Sequence, residues 1–378
     1  MISHRMLTSF VLAFAVPLAA TTENLRAEGP WEMTAESEAA LHKGIRWLTA
    51  NQSAEGNWGS NDLGLVSMGA LAYLAAGHLP GRGEHGRACE RALNYVVQNA
   101  KPTGLLNIAD EHRDMYNHGL STFVLGQAYG MTGDNRLGPA FDRALKLIAE
   151  TQCDDGGWDY LAKPQKRGHD LSLVVMQAKA LRSAVDSGFE VPPEVIQLAI
   201  TDVRRHYLPQ HGKRGSEEIE RQGPGQFTYD GGGRATVAMA AAGVVCLQEF
   251  GQYEDWRIGK SMDVIEAAVA EATKEKPRRN GNVPFDAYAL YYVGQALYQT
   301  GGDYWDKSYP KLRDHLVGVQ VLEPQNPQRD GVWQSGGHVG GRPGELYGTA
   351  VACFVLAMPN RYLPILQEGK IERFVKEQ

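Results

Sequence analysis

The sequence predicts an all-α fold assembled from six helical hairpins. Three observations lead to that prediction. Apolar residues recur at intervals of three and four through most of the chain, which is the period of an amphipathic helix. Useful runs of alternating β-branched residues, which would indicate strands, are absent. Finally, a repeated unit begins near residues 43, 91, 143, 198, 260 and 311, and such self-similarity is typical of repeat architectures.

The composition fits one large repetitive domain. Gly accounts for 43 of the 378 residues but follows no G-X-Y period, which excludes collagen, and a hydrophobic content of 43% excludes wholesale disorder. The 38 Lys and Arg residues against 44 Asp and Glu residues give a net charge of −6. Without a basic surplus, the sequence predicts no nucleic-acid partner.

The first residues have the pattern of a signal peptide. His4 and Arg5 precede an apolar run over residues 6–18, which small residues follow at Ala19 and Ala20. The run is too short for a transmembrane domain. We therefore predict a signal peptide over 1–20, a linker over 21–34 and an exported protein, periplasmic or secreted. An N-terminal membrane anchor and a disordered tail are the alternatives.

The four cysteines show no metal-binding or redox spacing. Cys89, Cys153, Cys246 and Cys353 lie far apart, with no C-x-x-C and no zinc-finger pattern. Cys246 and Cys353 fall inside apolar helical runs, where a buried free thiol is the usual state. One or two disulfides remain an alternative in an exported protein. The sequence predicts no metal and no cofactor.

The internal repeat is the strongest signal in the chain. Residues 43–58 and 143–158 match without a gap, and both end in a Q-x-x-x-G-x-W pattern. A weaker copy at 311–333 keeps Gln320, Gly331 and Trp333, and three looser copies begin near 91, 198 and 260. Each unit predicts an outer helix with one charged face, followed by a smaller, apolar inner helix that is buried on nearly all sides.

This pattern resembles the QW repeat of squalene cyclases, which is related to the repeats of protein prenyltransferase β-subunits. The resemblance covers roughly residues 35–365 and leaves 366–378 as a C-terminal tail. It implies an (α/α)6 toroid, a barrel of six outer and six inner helices. It also implies a terpenoid cyclase-like or prenyltransferase-like protein whose barrel binds a hydrophobic or isoprenoid-like ligand.

The repeat residues themselves have a structural interpretation. A Gln in the last turn of an outer helix can satisfy free backbone carbonyls of that turn. The Gly permits a tight reversal, and the Trp folds back over the Gln amide. We therefore expect the motif to link neighbouring hairpins, and we do not assign its residues to a functional site.

The motifs of the best-known chemistries on this fold are missing. The chain has no D-x-D-D acid motif, no D-D-x-x-D cluster and no D-x-C zinc-ligand pattern. Classical squalene cyclisation is therefore not predicted. Whether the protein is an enzyme stays open, and an enzyme here would be cyclase-like, isomerase-like or active on polysaccharides.

One rim of the predicted barrel carries the candidate site. The long loops 208–233 and 321–344 fall on it, together with the N-termini of the inner helices. One aligned position there is polar in all six units: Ser60, His118, Asp170, Thr236, Asp286 and Glu345. The catalytic candidates are His118, Asp170 and Asp286, and the substrate-binding candidates are Arg234, Tyr288, Glu345 and Tyr347.

Two other interpretations of the rim stay open. Ser60, Asp170, Thr236 and Asp286 are good N-cap residues, so the ring can serve only to satisfy helix ends in a non-catalytic binding or scaffold domain. A carbohydrate-active lyase or hydrolase is the third prediction, because the rim combines His, Tyr, Arg and carboxylates. The predicted partner is accordingly a hydrophobic small molecule or a polymer.

Overall fold

A computed structural model describes residues 32–209, 215–336 and 344–367. Over these ranges the chain forms thirteen α-helices and one antiparallel pair of short strands. In chain order the elements are α1 (Ala35–Ala50), α2 (Leu63–Ala75), α3 (Gly86–Gln98), α4 (Asp114–Thr132), α5 (Gly138–Glu150), α6 (Leu171–Asp186), α7 (Pro193–Arg205), β1 (Tyr207–Pro209), α8 (Glu217–Gln222), β2 (Gly225–Phe227), α9 (Val237–Glu249), α10 (Trp256–Ala272), α11 (Ala287–Thr300), α12 (Gly302–Val319) and α13 (Gly344–Ala357).

Twelve of the helices close into two concentric rings. The inner ring runs α2, α4, α6, α9, α11 and α13, each packed on the next, and α13 returns to pack on α2. The outer helices α3, α5, α7, α10 and α12 each contact the inner helix that precedes them, and α1 packs on α13. This arrangement is an α/α toroid, so the predicted fold class is confirmed. The short α8 and the β1–β2 pair lie in the connection between α7 and α9.

The burial of each helix follows its sequence pattern. In outer helix α3, the buried positions include Ala88, Cys89, Ala92, Leu93 and Val96, the spacing of a single helical face. In inner helix α2, all residues except Leu65 are buried. Small Ala and Gly side chains let such a helix pack closely against its neighbours in the ring.

The Gln residues of the repeat join consecutive outer helices. The Gln52 side-chain amide donates to the carbonyl of Gly56 in its own loop (3.0 Å) and to that of Ala88 in α3 (2.9 Å). Gln152 donates in the same way to Gly156 and Val195, and Gln320 to Gly331 and Ala40. The sequence-based expectation that this amide bonds its own helix end is wrong, since its acceptors lie in the following loop and the next outer helix.

The Trp residues of the repeat tie each outer helix to its inner partner. The Trp58 indole donates to the carbonyl of Leu48 near the end of α1 (2.8 Å). A Cβ at Gly69 of α2 would overlap the Trp58 ring, which shows how closely the ring lies on that inner helix. Trp158 and Trp333 donate to the carbonyls of Ile148 and Leu316 in the same manner.

Side chains fill the axis of the barrel. Helices α6 and α11 are not neighbours in the ring, yet the Tyr292 hydroxyl lies 3.1 Å from the Met176 sulfur. The Lys179 ammonium is hydrogen-bonded to Gln295 of α11 and lies 4.2 Å from the centroid of the Phe123 ring. The contacts of Met176 with Tyr292 and of Lys179 with Gln295 cross the axis, and all the side chains named here are buried.

The rim at the C-terminal ends of the inner helices is covered by the end of the described chain. The Ile365 N–H donates to the Gln127 side chain (3.0 Å), and the Tyr298 hydroxyl donates to the carbonyl of Leu366 (2.6 Å). We call the opposite rim, at the N-terminal ends of the inner helices, the upper rim.

Several sequence predictions fall partly or wholly outside the described residues. These are the signal peptide at 1–20, the linker at 21–34 apart from its last residues, and the tail at 366–378 apart from its first two. Among the helices of the described ranges, none combines the length and apolarity that crossing a membrane requires. All four cysteines are buried free thiols, which confirms that interpretation for Cys246 and Cys353.

Candidate functional site

A cleft of about 290 Å³ opens at the upper rim. We call it the rim cleft. Leu120 and Met176 supply apolar surface, and its polar lining comes from several sides of the ring: Asp62, His112, Arg113, Tyr116, Asn117, Tyr160, Tyr288 and Tyr347. A volume of this size suits one small ligand or one unit of a polymer.

Four tyrosines line the rim cleft. Tyr116, Tyr288 and Tyr347 lie in the first turns of α4, α11 and α13, and Tyr160 lies in the connection before α6. The Tyr116 and Tyr160 ring centroids are 5.6 Å apart. Burial raises the pKa of each of these hydroxyl groups above that of free tyrosine, so all four stay protonated and can donate hydrogen bonds. Tyr288 has no hydrogen-bond partner for its hydroxyl among the described residues.

Asp62 and Arg113 form an ion pair on one wall. Their Oδ2 and Nη2 atoms are 2.6 Å apart, although the angle is not that of a hydrogen bond. The other carboxylate oxygen of Asp62 accepts the N–H of Leu65 (3.0 Å) and so caps α2. Burial raises the pKa of the Asp62 carboxyl, and the positive charge of Arg113 only partly opposes this effect.

Asp170 lies behind the cleft at the centre of a hydrogen-bond network. Its Oδ2 accepts from the Tyr160 hydroxyl (2.7 Å) and lies 2.8 Å from His169 Nδ1. Its Oδ1 accepts from the backbone N–H of Ser172 (2.9 Å) and from that residue's hydroxyl. The Asp170 side chain is fully buried and does not line the cleft. It is linked to the cleft through Tyr160 and, by way of the Ser172 hydroxyl, through Tyr116.

The same network extends along the rim. The Tyr160 hydroxyl is 2.5 Å from that of Tyr229, and the Arg234 guanidinium lies 5.4 Å from the centroid of the Tyr229 ring. The His169 ring packs edge-on against Tyr160 at 4.5 Å. Hydroxyl, imidazole and guanidinium groups therefore follow one another from the cleft towards the loop before α9.

The structure brings only part of the predicted ring together. Tyr288 and Tyr347 line the cleft, and Asp170 supports Tyr160 from behind. Asp286 caps α11 through the N–H of Ala289 (2.7 Å) and does not line the cleft. Glu345 pairs with Arg329 (3.3 Å) and likewise lies outside the lining, as does Arg234.

His118 has a structural role. It is completely buried, its Nδ1 accepts the N–H of Leu106 (3.1 Å), and its Nε2 donates to the carbonyl of Ala144 (3.0 Å). Burial lowers its pKa to about 4, so the ring is neutral at pH 7. Both nitrogens are occupied by backbone, which leaves none for a substrate, and the sequence-based catalytic assignment of His118 is not supported.

Sequence reasoning missed Asp62, Arg113 and Tyr160. The prediction placed the first rim position at Ser60, whereas Asp62 caps α2 and the Ser60 hydroxyl accepts the Asp62 N–H (3.1 Å). An Asp directly before the apolar run is an N-cap signal that marks this position. Among the described residues, no cluster of three or more His, Cys, Asp or Glu side chains could hold a metal ion.

Comparisons with known proteins extend the fold assignment. No protein-family model and no curated protein matches the chain. Solved structures do match. An inactive variant of the α-1,6-mannanase GH76A of Salegentibacter sp. HEL1_6, in complex with α-1,6-mannotetrose, has a TM-score of 0.54 and 10% identity and covers 88% of this chain and 99% of its own.

Two further solved structures match over most of this chain. A sugar epimerase from a ruminal bacterium has a TM-score of 0.54 and 11% identity, over 85% of this chain and 98% of its own. The type II terpene cyclase MstE from Scytonema has a TM-score of 0.48 and 13% identity, over 87% and 99%. At 10% and 11% identity, the likenesses to the mannanase and the epimerase show the toroid fold alone.

Proposed function

We propose that the rim cleft binds a saccharide unit and that the protein is carbohydrate-active. The observation that carries the proposal is the position and lining of the cleft. It lies at the barrel mouth, and tyrosine rings and hydroxyl groups stand beside a carboxyl–guanidinium pair. The mannanase, which was solved with a mannose oligosaccharide, and the epimerase lend support as proteins of the same fold that act on sugars.

The chemistry of the lining suits a sugar. A pyranose presents C–H faces that pack on aromatic rings and hydroxyl groups that both donate and accept hydrogen bonds. The cleft offers tyrosine rings together with the Asp62 carboxyl, the Arg113 guanidinium and the Asn117 amide. The Tyr288 hydroxyl, which lacks a protein partner among the described residues, gains one when a sugar hydroxyl enters.

The filled axis favours this proposal over an isoprenoid ligand inside the barrel. An apolar chain would have to displace Met176, Tyr292 and Lys179, which already contact residues across the axis. The sequence-based prediction of a hydrophobic ligand remains the competing proposal. This competing proposal predicts an apolar molecule that stays bound to the protein through purification.

Asp62 is the proposed proton donor. It is the one carboxyl group among the described residues of the cleft lining, and burial raises its pKa. A general acid needs this shift, because the carboxyl then keeps its proton nearer to neutral pH. The proposed role is protonation of the glycosidic oxygen as its bond to the anomeric carbon breaks. A water molecule adds to that carbon, and the proton it releases returns to the Asp62 carboxylate. Tyr160, fixed by Asp170, orients the sugar.

Saccharide titration tests the proposal. Purified protein is titrated calorimetrically with neutral manno-, gluco- and xylo-oligosaccharides, and native mass spectrometry records any co-purified lipid. We expect binding of at least one saccharide series and a loss of about tenfold in Tyr160→Ala, the range of one aromatic contact. Tyr362→Ala is the control, because Tyr362 is a half-exposed tyrosine outside the cleft lining.

Two results would overturn the proposal. One is the absence of saccharide binding together with a co-purified isoprenoid or other lipid, which would favour the competing ligand. The other is saccharide binding that Tyr160→Ala leaves unchanged, which would place the sugar elsewhere on the surface. Equal losses in the Tyr160 and Tyr362 variants would also count against the cleft.

A further inference from the structure

We infer that a second pocket, on the outer flank of the upper rim, binds the anionic group of an acidic sugar, either a carboxylate or a sulfate. We call it the outer pocket. It has a volume of about 530 Å³ and is formed by the end of α10, the residues that follow it up to Phe285, and the last turns of α12. The rim cleft shares none of its lining residues.

The backbone of the outer pocket is held in place by α12 and its following loop. The Gly281 N–H donates to the carbonyl of Val319 (2.7 Å), and the Gly281 carbonyl accepts the N–H of Gln334 (2.7 Å). The Pro277 ring lies so close to Gly318 that a Cβ there would overlap it. The pocket is therefore preformed, and a ligand need not order the loop when it binds.

Phe285 holds a strained conformation in the pocket wall. Its φ is +62°, in the left-handed region that bulky side chains rarely adopt. Such a residue is energetically unfavourable and persists where the surrounding structure over-determines it, often at a ligand site. The half-buried Phe285 ring lines the pocket, and it offers an apolar face to a sugar ring.

The cationic groups of the pocket outnumber its anionic ones. Lys274 pairs with Glu271 at 3.6 Å, so these two charges offset each other. Lys276 and Arg278 have no hydrogen bond or ion pair from their side chains to any described residue, and Glu275 is the remaining carboxylate of the lining. The balance leaves one positive charge for an anion, and the Arg278 guanidinium suits a carboxylate or sulfate.

His315 supplies a polar atom at the inner wall. Its Nδ1 is buried without a hydrogen-bond partner among the described residues. Burial lowers the pKa of the ring, which leaves it neutral near pH 7 and able to donate or accept one hydrogen bond through that nitrogen.

The outer pocket and the rim cleft lie within reach of one ligand chain. Phe285 lines the pocket and Tyr288 lines the cleft, and the three Cα-to-Cα steps between them span at most ~11 Å. Asp286 between them is fixed as the cap of α11. The choice of an acidic saccharide rests on the function proposed for the cleft, whereas the recognition of an anionic group rests on the pocket alone.

The test compares charged and neutral ligands of equal length. Wild-type protein and the double variant Lys276→Gln/Arg278→Gln are titrated with a glucuronate tetrasaccharide, a sulfated tetrasaccharide and a neutral glucose tetrasaccharide. We expect the wild type to bind one acidic ligand at least tenfold more tightly than the neutral one, and the double variant to lose this preference. Arg87→Gln/Lys101→Gln removes two exposed charges outside the pocket and should keep it.

The outcomes separate the two proposals. An acidic preference that survives in the Lys276/Arg278 variant, or its absence in the wild type, overturns the outer pocket. If Tyr160→Ala still weakens neutral saccharide binding in that case, the rim cleft stands. A third outcome is that only acidic ligands bind, that the Lys276/Arg278 variant abolishes this binding, and that Tyr160→Ala does not affect it. In that case the outer pocket stands and the rim cleft fails.

Discussion

His118 shows how much a single polar residue depends on what surrounds it. In the sequence it stands at a rim position, whereas in the structure its two ring nitrogens join the N–H of Leu106 to the carbonyl of Ala144. The residue links the α3–α4 connection to outer helix α5. Its role is to satisfy buried backbone groups, and its protonation state then contributes to stability.

The depressed pKa of His118 predicts a pH-dependent stability. Between about pH 6.5 and pH 4 the unfolded state holds more protons on this residue than the folded state does, so stability is retained above pH 6.5 and falls as the pH is lowered towards 4. We expect a total contribution on the order of 3 kcal/mol, of which about 2 kcal/mol is lost between pH 7 and pH 5. Urea unfolding of wild type and His118→Gln at pH 7 and pH 5 measures it.

The difference between wild type and His118→Gln isolates the contribution of His118 to the pH dependence. His78, whose pKa burial also lowers to about 4, titrates equally in both. The wild type should therefore lose more stability between the two pH values than His118→Gln. Parallel losses would mean that His118 does not titrate as its burial implies.

Asp62→Asn tests the proton donor at the same scale. The Asn side chain can still accept the Leu65 N–H and cap α2, so we expect the fold to persist. Hydrolysis of the saccharide that binds should fall by about 100-fold or more, because general acid catalysis contributes that much, while the Kd changes little. Initial rates and calorimetric Kd values measure the two quantities.

Asp286→Asn is the matched control for that substitution. Asp286 also caps an inner helix but does not line the cleft, so its variant should retain full activity. An Asp62→Asn variant as active as wild type would show that Asp62 is not the proton donor.

At the scale of elements, helical period and capping signals were sufficient to predict the hairpins. The apolar spacing predicted buried inner helices, and Thr236, Asp170 and Asp286 cap α9, α6 and α11 as their residue types favour. The alignment of the six rim positions is wrong where an inner helix begins at a different point of its repeat unit. Helix α4 begins at Asp114, directly after a 3-10 turn, so His118 falls one turn inside the helix.

The loop glycine of the repeat is predicted to be much less replaceable than a helix-ending glycine. Gly156 has φ +95°, and an added Cβ would overlap the backbone carbonyl of Leu198 in α7. Gly188 has φ +79° in open space. We expect Gly188→Ala to cost about 1 kcal/mol from the left-handed backbone alone, and Gly156→Ala to cost on the order of 3 kcal/mol or more.

Urea unfolding of both glycine variants gives the two free energies. Because both positions carry the same backbone penalty, their difference reports the close approach of the loop to the next outer helix. Equal costs would show that α7 can move away from the loop without loss.

At the scale of the whole molecule, the axis contains a buried charge pair. Lys179 Nζ lies 3.7 Å from Glu249 Oε1, and both side chains are buried. Lys179→Met leaves Glu249 without its partner, although Arg182 also contributes positive charge there. We expect a loss of about 3–5 kcal/mol, and recovery of most of it in Lys179→Met/Glu249→Gln, because the remaining carboxyl is then uncharged.

A double-mutant cycle in urea checks that prediction. Glu249→Gln is measured alone as the second single variant. If the double variant is no more stable than Lys179→Met, the loss comes from packing at the axis and not from the unpaired charge.

The candidate site was less predictable than the fold because it depends on how the whole ring closes. Tyr116, Tyr160, Tyr288 and Tyr347 belong to different repeat units, and only their arrangement around one axis brings them to the same cleft. The filling of the axis depends on side-chain volumes that meet from opposite sides, such as those of Tyr292 and Met176. No local sequence pattern predicts that these tyrosines meet or that these side chains fill the axis.

The seam of the ring has a consequence for synthesis. Helix α13 packs against both α1 and α2, and Gln320 after α12 bonds the carbonyl of Ala40 in α1. The first hairpin therefore cannot cover its apolar surface until the last one has been made. During synthesis from the N-terminus, the apolar faces of α1 and α2 therefore stay exposed until α13 has been made. We expect the nascent protein to need a chaperone most during this interval.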